Sequence, residues 1–336
     1  MNRAPLQLDI ILPTHNRQHL LARALDSVLA AEVPSGLTVR VAVVDNNCTD
    51  GTRELVRARA ADFGGRLMYL SESRPGKPFA LNTGIAATSG DLIGLIDDDE
   101  EIDRRWFECI DSAFRDERLD FIGGRCLPRW GGERPDWLGR HYQGVIGWVE
   151  NGLEPLDFGP SFPGILTGGN AVIRRTMMQQ VGPYSTALSR TPTRLMGAED
   201  EHLYYRLLRI GAKGRYLPEL VIYHYVPAER MTKRYFRRWC FWCGVSRGLI
   251  DLEYPAPVPY VAGVPRYMFG KGARDGARSL QATITRQLPP DERFAGELNL
   301  WDLAGFIYGK HVYRTVHRQR PQHLIHPDVR CQRGGA

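Results

Sequence analysis

The chain has 336 residues, of which 43% are hydrophobic and 24% charged. This composition is typical of globular proteins, and the length suffices for one large domain with an appendage or for two domains. No run approaches the roughly eighteen uninterrupted apolar residues of a membrane span, and the N-terminus lacks a signal-like apolar core. We therefore expect a cytoplasmic protein. Six scattered cysteines fit free thiols better than a disulfide framework.

The first hundred residues alternate between strand and helix patterns. Apolar runs at residues 8–12, 39–44, 67–70 and 92–96 are separated by helical patterns at about residues 19–31, 52–62 and 78–88. This alternation predicts an α/β fold with a mainly parallel sheet flanked by helices on both faces.

Three consecutive carboxylates, Asp97, Asp98 and Asp99, directly follow the apolar run at residues 92–96. A buried strand that ends in three acids places repelling charges at one edge of the sheet, which is costly unless a cation lies there. The sequence therefore predicts a site for a divalent metal, Mn or Mg. A solvated acidic turn is the alternative.

The other strands also end in polar or turn-forming residues, at positions 13–17, 45–51 and 71–74. In parallel sheets, ligands bind in the crevice beyond the carboxyl ends of the strands. We therefore expect four strand ends to face one crevice, where the metal would meet an anionic ligand.

These segments resemble a known family. In order and spacing, residues 11–17, 43–52, 80–85, 90–93 and 97–99 resemble the nucleotide-sugar domain of the family 2 glycosyltransferases. Residues 168–171 are similar to the family's donor-sugar loop, and residues 197–200 to its acidic motif. The resemblance covers about residues 8–245 and implies a GT-A-type, Rossmann-like fold.

The resemblance also implies residue roles. Asp97 corresponds to the residue that binds the ribose, and we choose Asp99 as the direct metal ligand. Asp98 would point to the opposite side if strand geometry continues, so its role stays open. His224 resembles a residue that completes the metal or pyrophosphate site in some relatives, with a packed histidine as the alternative. The nucleotide- and donor-binding candidates are Pro13, Thr14, Asn16, Arg17, Asp45, Asn46, Lys77, Asn82, Asp97, Asp98, Gly169 and Asn170.

Two of these candidates carry reservations. Many family members have two Asp where this chain has Asp45 and Asn46, although a carboxamide can still pair with a uracil edge. Lys77 could neutralise phosphate or could be a solvated lysine at the start of a helix.

The acceptor hydroxyl has a pKa far above 7, so a carboxylate must take its proton as the new bond forms. By resemblance Asp200 is this base, and Glu199 orients the acceptor or Asp200. Both open a predicted helix at residues 199–210, whose dipole favours ionised carboxylates. An ordinary acidic first turn is the alternative.

The chain divides into residues 1–103 as the nucleotide-sugar half, 104–250 as the donor and acceptor half of the same domain, and 251–336 as a basic helical appendage. Sequence positions 104–250 include a predicted strand near residues 120–123 and a loop rich in Gly, Pro and Trp at 128–137. In the appendage, amphipathic stretches are predicted at 266–288 and 294–317, with Phe294, Leu298, Trp301 and Ile307 on one face.

Net charge is +6 and is concentrated at residues 230–238 and beyond residue 310. Such patches attract phosphates or anionic lipid headgroups, and solvated helix faces are the alternative. Because no nucleic-acid-binding signature accompanies them, we expect no nucleic-acid partner. The appendage would dock on the catalytic domain or contact an anionic membrane at its cytoplasmic face.

The acidic turn predicts a metal-dependent enzyme. The family resemblance implies that it transfers one sugar, linked to uridine diphosphate, to a glycan or lipid-linked acceptor, with inversion, in cell-surface glycan or glycolipid synthesis. Processive synthases carry Gln or Arg where this chain has Tyr235, and they have membrane spans, so single addition is favoured. The alternatives are a nucleotidyltransferase and a non-catalytic module that binds sugar nucleotides or polysaccharide.

Overall fold

The computed structural model describes residues 4–139, 142–190, 194–285 and 289–313. Its first part has the predicted alternation of strands and helices. In chain order the elements are β1 (Leu6–Thr14), α1 (Gln18–Ala30), β2 (Leu37–Asp45), α2 (Thr52–Arg59), β3 (Leu67–Ser71), α3 (Lys77–Ala86) and β4 (Leu92–Leu95).

The second part adds parallel and antiparallel strands to the sheet. Its elements are β5 (Glu100–Ile102), α4 (Trp106–Phe114), β6 (Phe121–Trp130), β7 (Leu156–Asp157), β8 (Ala171–Arg174), α5 (Arg175–Val181), α6 (Glu199–Arg209) and β9 (Gly214–Val226). The strand predicted near residues 120–123 is β6. It continues to Trp130 because it pairs with β9, so the loop predicted at 128–137 begins three residues later than expected.

One sheet joins these parts, in the order β3-β2-β1-β4-β8-β6-β9-β5, with β7 paired to β9. Strands β1 to β4 run parallel to one another, and β6 runs parallel to β9. Strand β8 runs antiparallel between β4 and β6, and β5 and β7 run antiparallel to β9. The predicted mainly parallel α/β sheet is confirmed. The carboxyl ends of β1, β2, β4 and β9 lie at one edge, together with the residues that precede β8.

Alternating side chains of each strand pack on opposite faces of the sheet. Leu8, Ile10 and Leu12 of β1 pack under α1 and α4, whereas Ile11 faces the opposite side with α3 and α6. All four side chains are fully buried. Two apolar layers therefore hold the strand ends in a rigid frame.

The C-terminal helical layer comprises α7 (Lys233–Glu253), α8 (Arg266–Thr285), α9 (Pro290–Tyr308) and the π-helical turn Gly309–Tyr313. A short hairpin of β10 (Tyr260–Val261) and β11 (Val264–Pro265) connects α7 to α8. The side chain of Thr232 caps α7 by accepting a hydrogen bond from the Tyr235 amide at 3.2 Å. The predicted appendage is therefore helical, but the basic residues beyond 313 lie outside the described residues.

Helix α9 differs from its prediction in two respects. It begins at Pro290, four residues early, and its apolar residues do not share one face. Phe294 and Leu298 pack in one cluster with residues of α7, Ile307 packs with Met268 and Phe306 in another, and Trp301 is 41% exposed. The reason is that α9 packs against α7 on one side and α8 on another, so it buries two separate stripes.

Glycines set the distance between α7 and α9. A Cβ on Gly244 would lie 2.2 Å from the Asp302 carbonyl oxygen, and one on Gly305 would lie 1.9 Å from the Phe241 carbonyl oxygen. The two backbones are therefore in direct contact. Over the described part of the chain, no helix combines the length and apolarity that crossing a membrane requires.

Candidate active site

The three aspartates lie in a turn, not in a continued strand. Strand β4 ends at Leu95, and the Glu100 amide donates to the Asp97 carbonyl at 3.1 Å. Strand geometry therefore does not continue, and Asp98 does not point away from Asp99 as that geometry would require. Arg17 Nη1 donates to both, at 2.9 Å from Asp98 Oδ1 and 2.9 Å from Asp99 Oδ2.

Asp98 is buried against the end of β1. Its Oδ2 accepts from Thr14 Oγ1 at 2.9 Å, and Arg17 balances its charge. Burial raises the pKa of Asp98 to about 6, because desolvation outweighs the opposing effect of Arg17. Thr14 thus donates a hydrogen bond to the triple-aspartate turn, and Arg17 forms ion pairs with it.

Asp99 is surrounded by cationic and imidazole groups. Its Oδ1 lies 3.5 Å from His224 Nε2, and its Oδ2 lies 3.4 Å from Arg230 Nη2. Burial alone would raise the pKa of Asp99, but the interactions with His224, and then the charges of Arg230 and Arg17, hold it below its ordinary value. The Asp99 carboxylate is therefore ionised, and Arg230 and Arg17 balance its negative charge.

Asp99 and His224 fit two adjacent ligands of a divalent metal. Strand β9 brings His224 opposite Glu100, and the Tyr225 amide donates to the Asp99 carbonyl at 2.8 Å, which fixes the pair. No three His, Cys, Asp or Glu residues cluster as a complete metal cage within the described ranges. The Asp99 carboxylate suits Mg²⁺ or Mn²⁺, which commonly use few protein ligands and take substrate phosphate oxygens for the rest, and the softer Mn²⁺ accepts the His224 imidazole more readily than Mg²⁺ does.

Lys77 joins the aspartate turn to the acidic helix. Its Nζ lies 2.6 Å from Asp97 Oδ1 and 2.7 Å from Oδ2. Burial alone would lower the pKa of Lys77, but Asp97, Asp200 and Glu199 together raise it well above its ordinary value. A charged Lys77 therefore faces the candidate ribose ligand and the candidate base together.

Asp200 and Glu199 open α6 as predicted. Asp200 Oδ1 is shielded from solvent and has no hydrogen-bond partner among the described residues. Burial raises the pKa of Asp200 against the effect of Lys77, and burial with the neighbouring Asp200 charge raises that of Glu199 to about 7. Both groups therefore bind protons more readily than exposed carboxyls.

The turn before α6 is strained. Ala198 has φ 85°, a left-handed conformation that costs a residue with a Cβ about 1 kcal/mol or more. Its carbonyl accepts from the His202 amide at 2.9 Å, and the Gly197 amide donates to Ser246 Oγ on α7 at 3.3 Å. The C-terminal helical layer thus helps to position the acidic helix.

The loop before β8 needs its two glycines. A Cβ on Gly168 would lie 2.2 Å from Asp200 Oδ1, and one on Gly169 would lie 2.0 Å from Glu100 Oε1. Glu100 is buried, its Oε2 accepts from the Asp97 amide at 2.7 Å, and burial followed by repulsion from Asp97 raises its pKa well above the ordinary value. The loop therefore packs directly against the Asp200 and Glu100 carboxyl groups, with no room for a side chain at either glycine.

Three predicted donor-binding amides use their side chains within the protein. Asn170 accepts from Trp106 Nε1 and donates to the carbonyls of Arg125 and Leu220, at 2.8–2.9 Å. Asn82 exchanges two hydrogen bonds with the backbone of Tyr184. These contacts indicate that both residues position loops around the crevice.

Asn46 also uses its side-chain amide for hydrogen bonds within the protein. Its Nδ2 donates to the carbonyls of Glu72 and Arg74, and its Oδ1 accepts from the Gly76 amide at 2.7 Å. This side chain fixes the loop that delivers Lys77. A uracil edge would find both amide groups of Asn46 already bonded.

The remaining candidates lie at the ends of β1 and β2. Asp45 accepts from the Cys48 amide and from Tyr69 Oη, and Asn16 Oδ1 accepts from the Thr49 amide at 2.6 Å. Asn16 has φ 53°, which its short polar side chain tolerates. Pro13 is buried inside β1 and can contribute only backbone there.

Sequence reasoning missed Arg230 and Glu100 as members of the site. Glu100 directly follows the triple aspartate, so the unbroken run of five acids at residues 97–101 was the available signal. Arg230 belongs to a basic cluster, but nothing in its spacing distinguishes it from Arg234, which is exposed. Only the pairing of β5 with β9, followed by the short 3₁₀ turn Ala228–Arg230, brings Arg230 to Asp99.

Comparison with known proteins agrees with this arrangement. A glucosyl-dolichyl phosphate glucuronosyltransferase of Haloferax volcanii is 23% identical over 257 residues, 74% of this chain and 79% of that protein. The succinoglycan biosynthesis protein ExoM of Rhizobium meliloti is 23% identical over 258 residues, 75% of this chain and 78% of ExoM.

A solved structure shares the fold. The mannosyltransferase PcManGT from Pyrobaculum calidifontis, in complex with GDP-Man and Mn²⁺, superposes with a TM-score of 0.60 at 19% identity, over 91% of this chain and 87% of that one. This likeness confirms the GT-A-type fold.

The family model described as glycosyl transferase family 2 matches residues 9–182, just over half of the chain. This range holds the aspartate turn, Lys77 and the glycine loop, and the fold places Asp200 beside Gly168 and His224 beside Asp99. The chain therefore belongs to glycosyl transferase family 2 and is a glycosyltransferase.

Proposed function

We propose that this enzyme transfers one sugar from a nucleoside-diphosphate sugar to an acceptor hydroxyl, with a divalent metal and with inversion at the anomeric carbon. The observation that carries the proposal is the contact of Lys77 with Asp97 on one side and its charge interaction with Asp200 on the other, where Asp200 Oδ1 is shielded and unpartnered. A donor and a proton acceptor can thus meet at one point of the crevice.

On the donor side, the chain supplies cations for a leaving diphosphate. Arg17, Lys77 and Arg230 lie at the aspartate turn, and Asp99 with His224 would hold the metal. Bound there, a dication offsets the negative charge that grows on the leaving group. The arginines and the lysine add fixed positive charge without any proton transfer.

On the acceptor side, Asp200 is the proposed base. Its raised pKa brings its proton affinity closer to neutral pH, where a base works best. Glu199, with a pKa of about 7, shares the first turn of α6 and would orient the acceptor. Direct attack by a deprotonated hydroxyl opposite the leaving group inverts the configuration, and no protein nucleophile is required.

The relatives guide the choice of substrates to test. One named relative acts on glucosyl-dolichyl phosphate, so a lipid-linked acceptor is part of the proposal, with the basic C-terminal segment contacting an anionic membrane. The solved neighbour holds GDP-Man. Because Asn46 is committed to loop contacts, it gives no preference for uracil, so uridine and guanosine donors are tested side by side.

The test is a panel of uridine- and guanosine-diphosphate sugars, each with Mn²⁺, Mg²⁺ or EDTA, scored for the released nucleoside diphosphate. The proposal expects metal-dependent hydrolysis of one donor, its loss in Asp99→Asn, and transfer to an acceptor with inverted configuration by NMR. EDTA-resistant turnover in Asp99→Asn would refute the metal site. Pyrophosphate release from a nucleoside triphosphate would support a nucleotidyltransferase, and tight donor binding without turnover would support a binding module.

A further inference from the structure

Arg230 bridges the two groups that are proposed to bind the metal. Its Nη1 lies 3.3 Å from His224 Nε2, and its Nη2 lies 3.4 Å from Asp99 Oδ2. The guanidinium always carries its protons, so it donates in both contacts. His224 Nε2 accepts in the neutral imidazole tautomer that carries its proton on Nδ1, which is also the form that binds a metal through Nε2. The lone pair that a metal would take on His224 therefore points at Arg230.

A metal and this guanidinium exclude each other from one position. Both need His224 Nε2 and the Asp99 carboxylate, and a dication next to a guanidinium in a buried setting is strongly repelled. The side chain of Arg230 is 17% exposed and that of Asp99 5%, so solvent screens this repulsion poorly.

The second arginine of the site is held differently. Arg17 Nη1 lies at 2.9 Å from both Asp98 and Asp99, which are full-strength hydrogen bonds. The contacts of Arg230 are longer by about half an ångström, so they are weaker and easier to exchange. If one cation leaves when a metal arrives, the geometry selects Arg230.

We propose that Arg230 is a built-in counter-cation, which occupies the metal position in the donor-free enzyme and turns to the donor diphosphate when metal and donor bind. The inference rests on the metal site proposed above. It makes Arg230 a positioning residue with two opposite effects. It opposes binding of the metal alone, and it supports binding of the metal together with a nucleoside diphosphate.

The test measures Mn²⁺ binding to the full chain without nucleotide, by the EPR signal of free Mn²⁺. Arg230→Met should bind Mn²⁺ more tightly by roughly fivefold or more, a typical coupling between two sites. In saturating Mn²⁺, the same variant should bind UDP or GDP, whichever the wild type binds, more weakly by a similar factor. Arg234→Met is the matched control, because Arg234 is exposed in the first turn of α7, four residues further along the chain, and should change neither value.

The variant is expected to bind Mn²⁺ more tightly and the nucleotide more weakly. These opposite changes distinguish the proposed role from simple structural support of the site. Unchanged or weakened Mn²⁺ binding in Arg230→Met would overturn the proposal, as would unchanged nucleotide binding. Asp99→Asn, made in the wild type and in Arg230→Met, separates the proposed metal site from the proposed exchange of Arg230 for the metal. If it leaves Mn²⁺ binding intact, the metal site itself is wrong, whereas if it abolishes binding while Arg230→Met has no effect, only the exchange is wrong.

A second variant covers the case in which Arg230→Met fails to fold, as judged by circular dichroism. Arg230→Lys keeps the charge but cannot span His224 and Asp99 with two N–H groups. It should give Mn²⁺ affinity above that of the wild type. An affinity equal to or below the wild-type value would overturn the proposal.

Discussion

The strand-end crevice and the C-terminal helical layer hold their side chains together in different ways. In the crevice, charges from distant segments meet: Arg17 from the start of the chain contacts Asp98 and Asp99, and Lys77 contacts Asp97. In the helical layer, glycines bring α7 and α9 into backbone contact, and aromatic rings fill the remaining space.

The helical layer also contains charges, but it pairs them between neighbouring helices. A cavity of about 460 Å³ between α7, α8 and α9 is lined by both signs. There Arg247 bonds Asp302, and Arg278 lies 3.5 Å from Glu292. Positive and negative side chains around this cavity are balanced locally, which leaves no excess charge for a ligand.

The difference shows which region is shaped by stability and which by function. Burying ion pairs contributes little net stability, because desolvation offsets the attraction. Close helix contact, by contrast, adds dispersion and removes apolar surface from water. The crevice therefore keeps costly charges for a ligand, while the helical layer secures the frame that holds them.

The strongest test of this comparison is Asp200→Asn. The amide keeps the size of the side chain but cannot accept the hydroxyl proton, so turnover should fall by about 100-fold or more while donor affinity changes little. Glu201→Gln, in the same turn of α6, is the control and should retain most activity. Equal losses in both variants would show that the turn, not the Asp200 carboxylate, limits the reaction.

Asn170→Ala tests whether a predicted donor ligand is a support for the crevice. The substitution leaves Trp106 Nε1 and two buried carbonyls without partners, so the free energy of unfolding should fall by roughly 2–4 kcal/mol. Urea unfolding followed by circular dichroism measures this loss. A stable Asn170→Ala protein with weakened donor binding would restore the donor role.

Strands β1 to β4 and helices α1 to α3 could be predicted from the sequence, because the apolar pattern that defines each of them is local. The period of apolar residues defined β1 to β4 and α1 to α3 to within a few residues, and parallel strands bring their carboxyl ends to one edge by geometry. The triple aspartate, Lys77 and the acidic helix therefore meet where the pattern indicated. Their catalytic roles stay predictions.

The rest depends on pairings that no local pattern contains. Arg230 and His224 reach Asp99 only because β9 pairs with β5, two segments more than a hundred residues apart. Asn46, Asn82 and Asn170 have the residue type expected of a ligand, but their partners are backbone groups of remote loops. Residue type alone could not distinguish a side chain that binds the donor from one that holds the wall of the site.

Gly305→Ala tests the helical layer. The added Cβ would lie 1.9 Å from the Phe241 carbonyl oxygen, so the backbones must separate, at a cost of roughly 1–3 kcal/mol. Thermal unfolding measures the loss. Gly270→Ala on α8 is the matched control, since nothing lies within 4 Å of its added Cβ, and it should stabilise the helix slightly. Similar stability of the two variants would contradict the direct contact of α7 and α9.

The smallest expected effect is a shift in pH dependence, and it connects the two sides of the crevice. The charge of Lys77 lowers the pKa of Asp200 against the effect of burial, so Lys77→Met should raise that pKa. Because the reaction needs the ionised carboxylate, the acidic limb of the kcat profile should move to higher pH, and activity should fall more at pH 6 than at pH 8. Lys77→Arg keeps the charge and should leave the limb near its wild-type position. A uniform loss at every pH in Lys77→Met would mean that Lys77 acts only on the donor and not on the base.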